Sequence, residues 1–286
     1  MVVGMRDRVF DWTVIVLLSL FVLSILFPLF YVVSVSLTPY SEVLRNGGFI
    51  ILPKKLTFDA YGAFLNDSLI PRAYWVTIYI TVVGTILNLI FTSLMAYPLS
   101  KKGLPGRNPL LFLVTLTLLF NGGVVPTYLV VKATGMINSL WALIIPSVIW
   151  TFNLLIVKTF FENLPSELDE AARIDGAGDV RILTQIVLPL SLPVLATVGL
   201  FYAVGHWNEF FQAIMYINDN DLKPLQVILR GILQSALMPP MDAENVLPSQ
   251  SLQMSAVVLS SLPILVVYPF LQKYFTQGML LGSIKG

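Results

Sequence analysis

The residues able to do chemistry are few and unevenly placed. The densest group is Glu170-Ala171-Ala172-Arg173-Ile174-Asp175-Gly176, followed after nine residues by Ile186-Val187-Leu188-Pro189. Its chemistry is that of docking: acidic groups on a small-residue surface, placed where a polypeptide outside the membrane can push. The only histidine, His206, stands three residues before Glu209 and invites a proton relay. One histidine and one acid are too few for proton coupling, and they form no plausible metal site, so a rim or packing role is expected. Cysteine is absent, which excludes disulfides, thiolate metal sites and a cysteine nucleophile. No Gly-rich loop leads into Lys-Ser/Thr, so the chain supplies no nucleotide site of that kind.

The elements that must position these groups are apolar. Of 286 residues, 56% are hydrophobic and 12% charged, with mean hydropathy +0.81. Soluble domains carry about 25% charged residues, so lipid is the expected solvent. A net charge of +1 gives no argument for nucleic acid. A spanning helix needs roughly 20 apolar residues, and six stretches qualify: 12–37, 74–99, 109–131, 140–161, 185–205 and 254–275. The first is too long for a signal-peptide core and lacks a small-residue cleavage site, so it reads as a retained span. The chain reads as a single membrane domain over 1–286, all-α, with no internal repeat.

With the N-terminus inside, ten Lys and Arg fall on the inner side and seven on the outer, a bias in the direction the positive-inside rule requires. Lys101-Lys102-Gly103 with Arg107 is its clearest local signal. Both termini and the loop 163–184 are then cytoplasmic. Thr38–Ala73, with a short helix around Asp59–Leu65, and Asn218–Gln253 face outward; the apolar-rich Leu222–Leu237 carries too many polar groups for the membrane core.

Within the inner loop, Ser166 with Asp169 three residues later predicts a capping box. Glu167, Asp169 and Glu170 suit the positive end of a helix dipole, and Gly176 suits the left-handed residue that closes a helix. A helix of about nine residues is expected from Glu167 to Asp175. Isolated helices under about 12–15 residues are marginal in water, so packing must hold it. Leu168, Ala171, Ala172 and Asp175 share one face, and the alanines keep that face shallow enough for a partner groove. Pro189 and Pro193 are expected to bend the helix that follows.

The Glu-Ala-Ala, three residues, Gly, nine residues, Ile, one residue, Leu-Pro spacing is similar to the loop by which ABC-importer permease subunits dock on their ATPase subunits. Across nearly its whole length the chain resembles the second permease subunit of the binding-protein-dependent carbohydrate-uptake family, the group containing the maltose permease. Pro39-Tyr40, Trp207-Asn208-Glu209-Phe210 and the tail Gly278-Met279-Leu280-Leu281-Gly282-Ser283-Ile284-Lys285-Gly286 carry the likeness. Phe120-Asn121-Gly122-Gly123-Val124-Val125-Pro126-Thr127-Tyr128 is similar to the branch handling lipoprotein-linked polysaccharide and alginate oligosaccharides. The same run is also what a kinked helix end looks like.

The resemblance implies a type I ABC importer permease fold with six transmembrane helices and a cytoplasmic coupling helix in a bacterial cytoplasmic (inner) membrane. It implies a homologous second permease as heterodimer partner, an ATPase homodimer holding ATP and magnesium, and an extracytoplasmic solute-binding protein delivering an oligosaccharide. The chain would itself be no enzyme and hold no cofactor. Glu170, Ala171, Ala172, Asp175 and Gly176 would couple to the ATPase, and Gly282, Ser283, Ile284, Lys285 and Gly286 would reach its interface. Polar groups in or near spans are candidates for the solute path: Asn121, Asn153, Trp207, Asn208 and Glu209, with Asn88 and Gln212 beside them. For any one of them, helix–helix hydrogen bonding or ordinary aromatic packing is the commoner explanation. An ion-coupled transporter or channel is the alternative; it would need more ionisable groups within the spans and an internal repeat. An intramembrane enzyme would need convergent catalytic groups that are not visible.

Overall fold

The computed structural model describes residues 5–66, 68–235 and 250–283. All regular structure among them is helical. They fall into two compact units, one taking in the chain up to Ile70 with Leu229–Leu262, the other Pro71–Ile228 with the chain from Pro263.

In the first unit, α1 (Met5–Ser36) is followed by the short α2 (Tyr40–Arg45) and α3 (Asp59–Asn66). Val35, Val43 and Ile50 are its buried core, with Tyr31 and Met254 packed against them. Tyr31 Oη donates to the Gly48 carbonyl (2.8 Å) and accepts from Gln250 Nε2 (2.9 Å). Ser251 Oγ, at the start of α14 (Gln250–Ser283), donates to the Thr38 carbonyl. The segment Phe10–Ser36 has mean hydropathy 2.7 and buries none of its most apolar window, as a lipid-facing helix requires. The short outer helix expected near Asp59–Leu65 is α3.

The second unit contains most of α4 (Leu69–Ser100), then α5 (Arg107–Leu119), α6 (Val124–Ala133), two 3₁₀ turns (Leu140–Leu143, Ile145–Ser147), α7 (Thr151–Glu162) and α8 (Ser166–Ile174). It continues through α9 (Asp179–Ile182), a wide π-type turn (Leu183–Val187), α10 (Leu188–Leu190), α11 (Leu192–Trp207) and α12 (Phe211–Tyr216). The amphipathic α13 (Leu225–Ser235) follows; it lies in the apolar-rich stretch that sequence excluded from the membrane core.

Continuity is where expectation and structure part. Among the described residues, three helical segments are long and apolar enough to cross a membrane: Phe10–Ser36, Leu69–Ser100 and Gln250–Val267. The other three expected spans are bent pairs: 114° between α5 and α6, 49° between Leu140–Ser147 and α7, and 83° between Asp179–Leu190 and α11. Counting each pair as one span gives six. The 83° bend falls at Ser191, between Pro189 and Pro193; proline removes a backbone donor and clashes with the preceding turn.

Candidate functional site

Helix α8 is nine residues long, one residue earlier than expected. Its N-cap is Pro165, without a side-chain cap. The capping box does not form, because Asp169 turns away to pair with Lys101. The far end behaves as the sequence requires. Gly176 has φ +77°, Gly176 N–H donates to the Arg173 carbonyl and Ala177 N–H to that of Ala172. These are the two bonds of a Schellman motif, which satisfies carbonyls the helix leaves open.

The elbow splits its residues between two directions. Ala172 is 8% exposed and packs into the chain's own core with Phe161, Ile182 and Val187. Glu170, Ala171, Asp175 and Gly176 are exposed, and Ile174 is 86% exposed. The shared face drawn from spacing is therefore divided: Ala172 is buried in the chain's own core, and the other four coupling candidates are exposed.

A rim of ion pairs fixes the peg from the side. Lys101, just past α4, pairs with Asp169 and lies 4.6 Å from the Tyr97 ring centroid. Arg107 Nη2 meets Glu162 Oε1 at 2.7 Å, and Lys158 pairs with the other oxygen of Glu162. Arg107 Nε also donates to the Leu99 carbonyl (2.8 Å). These side chains are about four-fifths buried or less exposed still, apart from Lys101 at 32%, so water screens them less than ordinary surface pairs. A cavity of about 390 Å³ lies under the elbow, lined by Tyr97, Ser100, Lys101, Phe161, Leu168 and Ile186, among others. Sequence reading used Lys101 and Arg107 only for orientation and missed their pairing, since the partners lie 55 to 68 residues away.

The solute-path candidates are dispersed in environment. Asn121 Oδ1 accepts from Gly123 N–H (2.8 Å) and shapes the break after α5. Asn153 is 1% exposed with its Nδ2 unpartnered among the described residues. Trp207 is 6% exposed and meets Tyr74 edge-on at 6.3 Å. Asn208 is exposed and donates to the Val204 carbonyl. Glu209, just past α11, accepts from Gln212 N–H (3.1 Å). Burial raises its pKa, opposed by the backbone donors of Gln212 and Phe210. His206 does not turn its Nε2 to Glu209; that atom lies 2.7 Å from Asn88 Oδ1, with both residues buried. Among the searched described residues, no cluster of three metal-ligating side chains occurs. Of the tail, Gly282 and Ser283 end α14, while Ile284, Lys285 and Gly286 lie outside the described residues, as does 236–249 of the outer loop.

Known proteins resemble this chain over nearly its whole length. The polygalacturonan/rhamnogalacturonan transport system permease protein YtcP of Bacillus subtilis (strain 168) is 44% identical, covering 99% of this chain and all of its own. Protein LplC of the same organism is 46% identical over 98% of this chain and 96% of its own. The crystal structure of a bacterial ABC transporter involved in the import of the acidic polysaccharide alginate contains a chain with TM-score 0.88 and 33% identity, covering 95% of this chain and 98% of that one. The bent helices are thus those of an ABC importer permease fold, in which the chain is a transport component and not an enzyme. With residues 2–281 matching the family model, this chain belongs to the binding-protein-dependent transport system inner membrane components.

Proposed function

We propose that this chain is one of two permease subunits in an ATP-driven importer of acidic oligosaccharides, with α8 as the element on which its ATPase pushes. The observation that carries the coupling role is the exposed Glu170, Ala171, Asp175 and Ile174 on a helix pinned to its own chain by Ala172 and Asp169. A rigid peg with a free outer face transmits force; a loose loop absorbs it. Both termini are cytoplasmic. ATP and magnesium are held by an ATPase homodimer, the second permease completes the pathway, and a solute-binding protein delivers cargo. The tail Gly282–Gly286 reaches the ATPase interface.

The substrate class rests on two similar transporters, one for polygalacturonan/rhamnogalacturonan and one for alginate, since polygalacturonan and alginate are both polymers of uronic acids. Asn121, Asn153, Trp207, Asn208 and Glu209 contribute polar and aromatic surface to the path. Neutral arabino-oligosaccharides are the second reading, favoured by a permease 27% identical over 97% of this chain.

Two measurements test this. Glu170→Lys abolishes ATP-dependent uptake while membrane insertion persists; normal uptake removes α8 from the mechanism. The cognate solute-binding protein, titrated with oligogalacturonates, alginate oligomers and arabino-oligosaccharides, binds one of the first two. Binding of only the arabino-oligosaccharides overturns the acidic assignment.

A further inference from the structure

The fourth apolar stretch is broken between the 3₁₀ turn Ile145–Ser147 and α7. A broken helix leaves carbonyls and N–H groups without partners, and in lipid each such group must be satisfied by protein. Here two side chains from other helices take the missing places. Asn88, on α4, gives its amide hydrogens to the carbonyls of Ser147 (2.8 Å) and Val148 (2.9 Å). Tyr202, on α11, accepts from Trp150 N–H (3.2 Å). Both residues are fully buried.

These two side chains are themselves held as rungs. Asn88 Oδ1 faces His206 Nε2 (2.7 Å), and Tyr202 Oη faces Thr92 Oγ1 (2.7 Å). Asn88 and Thr92 are four apart on α4; Tyr202 and His206 are four apart on α11. Residues at that spacing share one helix face, so the two faces meet in register. Asn88 spends its nitrogen on carbonyls, so its oxygen must accept and His206 Nε2 must carry hydrogen. Two glycines admit the close approach. A Cβ on Gly84 would lie 2.6 Å from His206 Nε2, and one on Gly205 would lie 2.1 Å from Trp150 Cη2.

We propose that Asn88 and Tyr202 are positioning residues that lock this break, so that α4, α7 and α11 carry a displacement of the elbow as one body. The inference rests on the coupling role proposed for α8. Continuity below the joint supports it: Leu154, Val157, Phe161, Ala172, Val198 and Tyr202 belong to one buried cluster running from the break to the elbow. Without the two donors and the hydroxyl, the break would bend under load and absorb the motion.

Asn88→Leu keeps the side-chain size and removes both donors, and Tyr202→Phe removes one oxygen. Each is assembled with its partner permease, ATPase and binding protein in vesicles, using an oligogalacturonate as cargo. Sugar imported per ATP hydrolysed falls about tenfold in Asn88→Leu and about threefold in Tyr202→Phe, while hydrolysis by the partner subunit continues. Loss of stability alone lowers the number of assembled complexes and leaves that ratio unchanged. Hydrogen exchange at residues 148–152, measured on the same complexes without sugar, is faster than in the unaltered protein. An unchanged ratio in an assembled variant overturns the proposal. So does unchanged exchange, whatever the cargo proves to be. If Asn88→Leu does not assemble, Tyr202→Phe decides. Glu170→Lys separates the two readings: its failure to uncouple removes the elbow role, whereas its uncoupling with both joint variants intact removes the joint alone.

Discussion

The breaks in the third and fourth apolar stretches solve one problem by opposite means. After α5 the chain bends by 114° at Phe120–Gly123. That bend is made locally and faces outward: these four residues are exposed, Gly123 has φ +92° and ψ 170°, and Asn121 bonds the Gly123 N–H two residues on. The 49° break before α7 is half-buried and made remotely, held by buried residues 52 to 60 positions away. A local bend can change without disturbing neighbouring helices. A remote one is shared among three helices, so a change there is felt by all of them.

Substitutions sharpen that contrast. Gly205→Ala should cost the most, about 3 kcal/mol at the upper end of overpacking, because the Trp150 ring occupies the space of the new Cβ; thermal unfolding in detergent reads this, and an unchanged midpoint breaks the contrast. Gly123→Ala should cost about 2 kcal/mol through backbone strain in a region nearly confined to glycine, with Pro126 Cδ 3.8 Å from the Cβ position. Asn121→Ala removes one exposed hydrogen bond and should cost about 0.5 kcal/mol. Gly122→Ala meets nothing within 4 Å and should stay within about 0.5 kcal/mol of the unaltered protein. If Gly122→Ala and Gly205→Ala unfold alike, the two breaks are not different in kind.

The smallest effect belongs to Glu209. Burial raises its pKa, so the folded state holds its proton more tightly than the unfolded chain does. The linked stability is fully present below the unfolded carboxylate value and is lost as pH rises through the folded value. Unfolding midpoints taken across that window should fall with pH, and Glu209→Gln should flatten the slope. An identical slope in the variant assigns the dependence to another group.

What could be read from sequence follows the same division between local and remote. Six apolar stretches, the nine-residue elbow and the left-handed Gly176 are local patterns, and they appear where composition and spacing place them. Pro189 and Pro193 announce the bend at Ser191 because proline acts on its own turn. Three features depend on residues remote in sequence. The Ser166–Asp169 box is a local option that lost to Lys101, 68 residues away. Ala172 shares a face with Ala171 by spacing, yet tertiary packing buries only the former. Asn88, a candidate for the solute path by composition, spends its polar atoms on the backbone of the turn before α7 and on His206. A polar residue in an apolar helix states that a partner exists; only the fold states which.

The pairing of Lys101 with Asp169 closes a figure whose other corners are already fixed. Helix α4 meets the turn that leads into α7 at Asn88, α7 runs into α8 through Asn163–Pro165, and α8 returns to the foot of α4 through that ion pair. Three stiff sides joined at three corners make a truss, and a truss has no internal degree of freedom. On the coupling role proposed for α8, pressure at one vertex would turn the whole frame, and severing one of the joins would let it fold flat.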